Sequence, residues 1–208
     1  MLQKFLGNVN RNYGLAKSSR FNVVINGGPL GLMDSSTSEE LSLLCEAVEI
    51  PGRSLITADA KTYGPIFKIP YQTQFQEISM TFLCTSELKE RKFFELWMDQ
   101  ISNSSKIVGS STRTFNFNFP STYYGNVTIQ NYREIGGPEG SETAVYKTSL
   151  KEAFPMSIAS QPLNWSDDGF LRLSVQFTYR YYEMTPQPVS SSIGTTSPPA
   201  PLPQGFTI

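Results

Sequence analysis

The run 170–182, FLRLSVQFTYRYY, constrains the fold most, because apolar and polar side chains alternate along most of its thirteen residues. A two-residue period is that of a β-strand, and a strand with one apolar and one polar face lies between a core and water. At about 3.3 Å per residue it spans roughly 40 Å, which suits a barrel wall or a sheet shared between subunits. The predicted core-facing side chains are Leu171, Leu173, Val175, Phe177, Tyr179 and Tyr181.

Shorter alternating runs predict that most of the chain is β-structure. A loop is expected at 26–38, where Gly, Pro and Ser are frequent. The stretch between 127–134 and 143–154 is Gly-rich, which predicts a hairpin with a long tip. Strands are predicted at 20–25, 42–48, 75–84, 127–134 and 143–154, and a further alternation joins Phe115, Phe117 and Phe119.

Residues 87–102 predict the one strong helix, with Thr85 or Ser86 as its cap. Large apolar side chains cover one broad side of this helix, and charged side chains cover the other. The apolar side consists of Phe93, Phe94, Trp97, Met98 and Ile101.

Three parts are predicted along the chain. Residues 1–19 form an N-terminal arm with a short helix that needs a surface to dock on. Residues 20–184 form one β domain that includes the helix at about 87–102. Residues 185–208 hold six of the 14 prolines and many Ser and Thr residues, which predicts a Pro/Ser-rich C-terminal arm without a core of its own. The apolar positions of the N-terminal helix are Leu2, Phe5, Leu6 and Val9.

The stretch CEAVEIPGR, 45–53, predicts a strand that ends at a turn. Pro51 biases the preceding residue to extended geometry, and Gly52 is expected to supply the positive φ of a type II turn. The following segment, 54–74, contains Tyr63-Gly64-Pro65 and predicts an extended excursion or a loose hairpin. Long excursions of this kind usually serve a function.

Catalytic and metal-binding residues are scarce in this sequence. The chain has no histidine, which excludes Ser-His-Asp and Cys-His catalysis and most zinc and haem sites. Cys45 and Cys84 lie in apolar runs and are expected to be buried thiols. No Gly-rich motif has the lysine and the helix that phosphate binding requires. We therefore expect neither an enzyme nor a cofactor.

The charge distribution argues against a nucleic-acid-binding domain. The net charge is -1. Four basic residues precede the first acidic residue, Asp34, so the rest of the chain has an excess of acidic residues. A DNA-binding domain needs a basic stripe instead. No stretch has the length of a signal peptide core or of a membrane span, so we expect synthesis in the cytosol and no membrane anchor. The early basic residues are Lys4, Arg11, Lys17 and Arg20.

Two other functions stay open at this point. A carbohydrate-binding β-sandwich could use exposed tyrosines, because aromatic rings form sticky surfaces. An enzyme with a carboxylate pair could use Asp167 and Asp168, although their sequence fits a turn. The tyrosines in question are Tyr123, Tyr124, Tyr181 and Tyr182.

Six stretches in this order resemble one known family: RFNVVI, LLCEAVEIPGRSLITADAKTYGP, ISMTFLCTSELKERKFFELWMDQI, YYGNVTIQNYRE, KTSLKEAFPMSIASQPLNWSDD and LSVQFTYRYYEM. The sequence resembles the tail tube proteins of contractile-tailed, T4-like bacteriophages, including the tube-initiator proteins of the baseplate. The similarity covers about 20–183, and it is the order of the motifs that is specific.

This resemblance implies an antiparallel β-sandwich or partial barrel with one packed α-helix. Six copies would form a ring with a shared β-barrel lumen, and stacked rings would form a tube for tape-measure protein and then DNA, which passes transiently and without specific binding. The implied partners are adjacent rings, baseplate proteins and the tail sheath. The protein would assemble in the host cytoplasm and reside in the virion tail. Its Pro-rich arm favours a tube initiator at the baseplate over the major tube subunit.

The resemblance also gives the turn at 45–53 a role. We expect it to launch the excursion 54–74 across to an adjacent subunit or ring. The candidate inter-subunit contacts are Ile50, Pro51, Gly52, Arg53, Tyr63, Gly64 and Pro65.

Overall fold

A computed structural model of the protein describes residues 1–11, 15–27, 35–61, 63–102, 116–133, 144–166 and 168–186. In these ranges the chain forms nine strands, three α-helices and one 3-10 turn. The helices are α1 (Leu2–Arg11), α2 (Ser35–Leu44) and α3 (Lys89–Ile101). The strands are β1 (Phe21–Gly27), β2 (Cys45–Val48), β3 (Arg53–Ala60), β4 (Phe67–Phe75), β5 (Ile78–Leu83), β6 (Gly125–Tyr132), β7 (Ala144–Ile158), β8 (Arg172–Thr178) and β9 (Tyr181–Pro186).

The described strands pair antiparallel throughout, so the prediction of a mainly β, antiparallel fold is confirmed. Seven of them form one sheet in the order β1-β6-β7-β8-β5-β2, and β9 adds to β7. β3 and β4 form a second sheet of two strands. β6 and β7 are the hairpin that the Gly-rich sequence predicts.

Alternation in the central strands builds the core. In β5 every second side chain is buried, beginning with Ile78, and β8 buries Leu173, Val175 and Phe177. α3 covers this apolar surface with aromatic rings: Phe94 lies 5.1 Å from Phe82 between ring centroids. Burying such a ring is worth about 1.5–3 kcal/mol, so this contact contributes substantially to the stability of the domain. The remaining large buried side chains include Val23, Ile25, Met80, Trp97, Val127, Ile129 and Leu150.

The start of α3 differs from the prediction that Thr85 or Ser86 caps it. Leu88 precedes the helix in a left-handed conformation, with φ 52°, and provides no side-chain cap. Instead the carboxylate of Glu90 accepts hydrogen bonds from the Thr85 N–H at 3.0 Å and from the Thr85 hydroxyl at 3.1 Å. This contact pins the chain before the helix, and it buries Glu90 almost completely.

The run 170–182 is not one continuous strand. It bends at Arg180 and separates into β8, which pairs with β5 and the end of β7, and β9, which pairs with the start of β7. Past the bend, Tyr182 packs against the core while Tyr181 is exposed, so the prediction that Tyr181 faces the core is wrong.

Two further strand predictions are wrong. The range 42–48 is strand only in β2, because α2 extends to Leu44 and buries Leu41 against β1. The alternation at Phe117 gives a single bridge to Ser102 in place of a strand, and Phe119 is exposed before the 3-10 turn. Phe115 lies outside the described residues. The ends of the range 26–38, predicted as a loop, belong to regular elements, because β1 runs to Gly27 and α2 begins at Ser35, and residues 28–34 lie outside the described residues.

Candidate functional site

The turn between β2 and β3 is held to the sheet by hydrogen bonds of the Glu49 backbone and side chain. The Glu49 N–H donates to the Ser79 carbonyl at 3.2 Å, and the Ser79 N–H donates to a Glu49 carboxylate oxygen at 3.0 Å. The Gln76 N–H then donates to the Gly52 carbonyl at 3.2 Å, which closes the base of the β3–β4 hairpin. The hairpin therefore leaves the domain from a fixed root.

Gly52 does not have the positive φ that was predicted for it. Positive φ among the described glycines occurs at Gly64, at 116° in the tip of the hairpin, and not at Gly52. What Gly52 provides is space: a Cβ at this position would lie 2.5 Å from the side-chain oxygen of Gln76. The end of a glutamine side chain moves easily, so this restriction is mild.

Three aromatic rings anchor the root. The Phe75 ring meets Tyr179 at 6.1 Å and Tyr182 edge-on at 5.4 Å between centroids. The Tyr179 hydroxyl donates to the Gln76 carbonyl at 2.7 Å. Burial, with a smaller effect of Tyr182, raises the pKa of Tyr179 to about 12, so this hydroxyl keeps its proton and its donor role at neutral pH.

The β3–β4 hairpin has one apolar face and one mixed polar face. Directly opposed residues on antiparallel strands share a face, and the register pairs Ala58 with Ile69 and Ala60 with Phe67. Asp59 opposes Lys68 on the other face. Tyr71 has no partner in this register, so a bulge interrupts β4 there. The apolar face consists of Ile56, Ala58, Ala60, Phe67 and Ile69.

Ala58, Phe67 and Ile69 of this apolar face are exposed in the single chain, whereas Ile56 and Ala60 are half-buried. Phe67 is 53% exposed and Ile69 is 48% exposed, while Ile66 beside the tip is also exposed. β3 and β4 pair with each other and with no other described strand. A contiguous exposed apolar surface of this kind marks a site of association. We name the five residues Ile56, Ala58, Ala60, Phe67 and Ile69 the hairpin face.

The predicted contact residues lie at the two ends of this hairpin. Ile50, Pro51, Gly52 and Arg53 lie at its root, and Tyr63, Gly64 and Pro65 lie at its tip. Ile50 and Tyr63 are exposed. The structure places both groups on one element but does not bring them together. Sequence reasoning missed Phe67 and Ile69, whose shared face becomes visible only with the register of the two strands.

A second surface lies on the sheet formed by β1, β6, β7 and β9. One face of these strands points into the core through Val23, Ile129 and Leu150. The opposite face carries mainly uncharged polar groups, with one ion pair between Lys151 and Glu183 at 3.4 Å. Such a face suits contact with water. Its residues include Asn126, Gln130, Lys147, Ser149, Lys151 and Glu183.

The described residues hold no cluster of three His, Cys, Asp or Glu side chains that could bind a metal ion. Cys45 and Cys84 are free thiols, and burial raises the pKa of Cys45 to about 12. A thiol of this kind is a poor nucleophile at neutral pH. Within the described ranges, none of the helices has the length and apolar character needed to cross a membrane.

The four tyrosines considered for carbohydrate binding are largely used in packing. Tyr123 contacts Tyr124 and Phe154 edge-on, and its carbonyl accepts a hydrogen bond from the Trp97 indole at 2.8 Å. Tyr182 belongs to the aromatic root described above. Tyr181 is exposed on β9. Asp167, one of the two carboxylates considered for catalysis, lies outside the described residues.

Comparisons with known proteins point in one direction. A family model described as phage tail tube protein matches residues 16–185. No curated protein matches the sequence. Among solved structures, a chain of the PVC sheath-tube complex of an extracellular contractile injection system, in its extended state, aligns with a TM-score of 0.56 and 14% identity. The alignment covers 86% of this chain and 97% of that chain.

Two further structures have the same fold. A chain of the anti-feeding prophage (AFP) baseplate, 6-fold symmetrised, aligns with a TM-score of 0.56 and 15% identity, over 83% of this chain and 97% of that chain. A chain of the PVC sheath/tube terminator in its extended state aligns with a TM-score of 0.53 and 15% identity, over 82% of this chain and 96% of that chain. At these identities the likeness concerns the fold alone.

Proposed function

The chain belongs to the phage tail tube protein family, and on this premise we propose that it is a structural subunit that assembles into six-membered rings of a contractile tail tube. The observation that carries the proposal is the hairpin face, a row of apolar side chains that the single chain leaves in water. Burying exposed apolar surface is the main driving force for protein association. A neighbour that covers this face would therefore stabilise the assembled form.

The polar face of β1, β6, β7 and β9 is the proposed wall of the lumen. Its amide and hydroxyl groups include the exposed Asn126 and the half-buried Gln130 and Ser149, and its few charges include both signs. A wall of this kind offers no basic stripe to hold the phosphates of passing DNA. The core face of the same strands is buried by α3 and the rest of the sheet, so the two faces have separate tasks.

The edge of β9 supports closure of the ring. Among the described strands, β9 pairs with β7 alone, so no described strand occupies its other edge. An edge strand of this kind is a template for pairing with another chain. We propose that β9 extends the sheet of one copy toward the next copy, so that six copies share one barrel. A closed barrel leaves no free edges, which limits the assembly to a ring.

The β3–β4 hairpin is the proposed contact between subunits or rings. Its root is fixed by Gln76 and the rings of Phe75 and Tyr179, while its tip with Tyr63, Gly64 and Pro65 extends away. A rigid root loses little conformational entropy on binding, which favours association. Ile50, Pro51, Gly52 and Arg53 are expected to contact the neighbour near the root.

The position in the tail and the remaining partners are further parts of the proposal. We propose that the protein forms a ring at the baseplate-proximal end of the tube, as an initiator, with the major tube subunit as the alternative position. Tape-measure protein and then DNA would pass through the lumen, and baseplate proteins, further rings or the sheath would contact the outside. No catalytic step is proposed.

Assembly tests this function directly. We expect negative-stain electron microscopy of the purified full chain, alone and with baseplate proteins, to show six-fold rings or stacked tubes. A variant in which a short linker replaces residues 54–74 should melt cooperatively in circular dichroism but remain monomeric in native mass spectrometry. A wild-type chain that stays monomeric at high concentration, with and without baseplate proteins, would overturn the proposal. If the linker variant assembles as well as wild type, the β3–β4 hairpin is not a contact between subunits.

A further inference from the structure

The N-terminal helix α1 has an apolar side that its own domain does not cover. Leu2, Phe5 and Leu6 fall three and four residues apart, so they share one side of the helix. Their exposed fractions are 71%, 56% and 49%. A ten-residue helix is marginal in water unless its apolar side docks on a surface. α1 therefore needs a partner.

The charge of this segment limits what that partner can be. The first 33 residues contain Lys4, Arg11, Lys17 and Arg20 and no acidic residue. The helix thus combines an apolar side with positive charge. Its partner should offer an apolar surface with acidic residues at the rim.

A groove with this character lies beside α2. Leu43 is 86% exposed and forms the boundary of two adjoining open cavities, of about 470 and 330 Å³. The larger cavity is also lined by Leu44 and Thr85, and the smaller by Val24. We name this surface, centred on Leu43 and lined by α2, the start of α3 and β1, the Leu43 groove.

The rim of the Leu43 groove is acidic. Glu40 and Glu87 line the larger cavity and Glu39 lines the smaller one. Lys89 is the basic residue at the larger cavity, and it pairs with Glu87 at 3.1 Å. Three carboxylates and one ammonium leave a net negative rim that matches the basic helix.

We propose that α1 of one copy docks into the Leu43 groove of a neighbouring copy. In the single chain the apolar side of α1 and the Leu43 groove are both exposed, so one contact between two copies would bury both. The helix and the groove are different surfaces, so the contact is head-to-tail, and head-to-tail contacts continue around a ring or along a filament. The inference rests on the proposed self-assembly, to which it adds a contact distinct from the hairpin face.

Cross-linking between two tagged chains tests the contact. One chain carries Leu6→Cys and the other, with a tag of different size, carries Leu43→Cys. We expect mild oxidation of the mixture under assembly conditions to give a disulfide-linked heterodimer. The matched control replaces Leu43→Cys by Leu163→Cys, at a leucine of nearly equal exposure, 85%. The unmodified chain, which retains Cys45 and Cys84, gives the background.

A charge exchange adds a readout that general destabilisation would not produce. Lys4→Glu and Glu40→Lys should each lower the yield of the heterodimer several-fold. Mixing the Lys4→Glu form of the Leu6→Cys chain with the Glu40→Lys form of the Leu43→Cys chain should restore the yield, because the charge pair is re-formed in reverse. Equal yields in all four mixtures would contradict the proposed pairing.

Other outcomes would overturn the inference, and they distinguish its failure from a failure of the proposed function. A chain carrying both cysteines that forms only an intramolecular disulfide would show that α1 docks on its own domain. Binding of the full chain to anionic phosphatidylserine vesicles through Leu6, without any heterodimer, would assign the helix to a membrane surface. Six-fold rings without the cross-link would refute this contact alone, whereas the absence of both rings and cross-link would refute the assembly as well.

Discussion

Replacing Phe67 by alanine should weaken assembly without unfolding the subunit. Phe67 lies on β4, directly opposite Ala60, and 53% of it is exposed. A phenylalanine side chain offers about 200 Å² of burial, so about 100 Å² remains for a partner to cover. At about 25 cal/mol per Å² this surface contributes about 2.5 kcal/mol to each contact. The smaller alanine should lose about 2 kcal/mol of it.

A loss of about 2 kcal/mol corresponds to a roughly 30-fold weaker association constant per contact. We therefore expect the critical concentration for ring or tube formation, measured by light scattering and sedimentation, to rise about 30-fold. Phe67 is outside the buried core, so the free energy of unfolding of the monomer should change by only about 0.5 kcal/mol.

Phe170 provides the matched control, because it is 82% exposed and does not lie on the hairpin. Phe170→Ala removes the same group, and we expect it to leave the critical concentration nearly unchanged. If Phe67→Ala assembles at the wild-type concentration, the hairpin face is not a subunit contact. If both variants fail equally, exposed aromatic surface in general, and not this face, drives association.

Three further substitutions test the packing and electrostatics of the domain. Glu90→Ala removes the acceptor of the Thr85 N–H and should cost about 2 kcal/mol, or about 4–8 °C in Tm, whereas Glu90→Gln should cost less. Hydrogen bonding to Arg172 lowers the pKa of Glu46 from 4.5, so the stability it contributes is present above pH 4.5 and is lost as the pH falls through the lowered pKa. The Tm difference between wild type and Glu46→Gln should accordingly disappear in acid. Burial raises the pKa of Cys45 from 9.0 to about 12, so wild type should lose stability relative to Cys45→Ala as the pH rises through this interval, measured by urea unfolding.

The core was the most predictable part of the fold, because local alternation is enough to identify its strands. The periodicity of β5 and β8 gives the buried residues Phe82, Val175 and Phe177 directly. The spacing in α3 likewise gives Phe94 and Trp97. In each case the apolar residues of the element are buried by other parts of the same chain, so the pattern along the element agrees with the packing.

Residues 35–48 were less predictable, because tertiary contacts decide between helix and strand there. The sequence SSTSEELSLL has a weak helical pattern, and its Leu and Cys neighbours also suit a strand. In the structure Leu41 is buried in the core, and the Ser38 hydroxyl donates to the Ile25 carbonyl at 2.7 Å. These contacts with β1 favour the helix, and a pattern read along α2 alone does not contain them.

The break at Arg180 has a similar origin. The alternation continues through 170–182, but β7, the strand against which it pairs, carries Glu152 in a left-handed conformation with φ 54°. Glu152 forms an ion pair with Arg180 at 3.1 Å, beside the Arg180 N–H that donates to the Lys151 carbonyl. The irregularity in β7 and the bend in its partner occur at the same level of the sheet, so the division between β8 and β9 coincides with a feature of β7 that the pattern of the run does not contain.

The sequence predicts where the β3–β4 hairpin lies, but it does not predict the hairpin face. The segment 54–74 was recognised by its length and its Pro and Gly residues, which are local features. The face depends on which residue of β3 opposes which residue of β4, and the bulge at Tyr71 shifts that register by one residue. If Tyr71 were paired and the register of Ile56 with Gln72 continued, Ala58 would oppose Pro70 in place of Ile69, and the apolar row would be broken. The bulge thus aligns Phe67 and Ile69 with the alanines of β3. Deleting Tyr71 would remove only the unpaired residue and keep Ala58 opposite Ile69 and Ala60 opposite Phe67, so the deletion variant should assemble near the wild-type critical concentration, measured by light scattering. A rise as large as that expected for Phe67→Ala would contradict this account of the register.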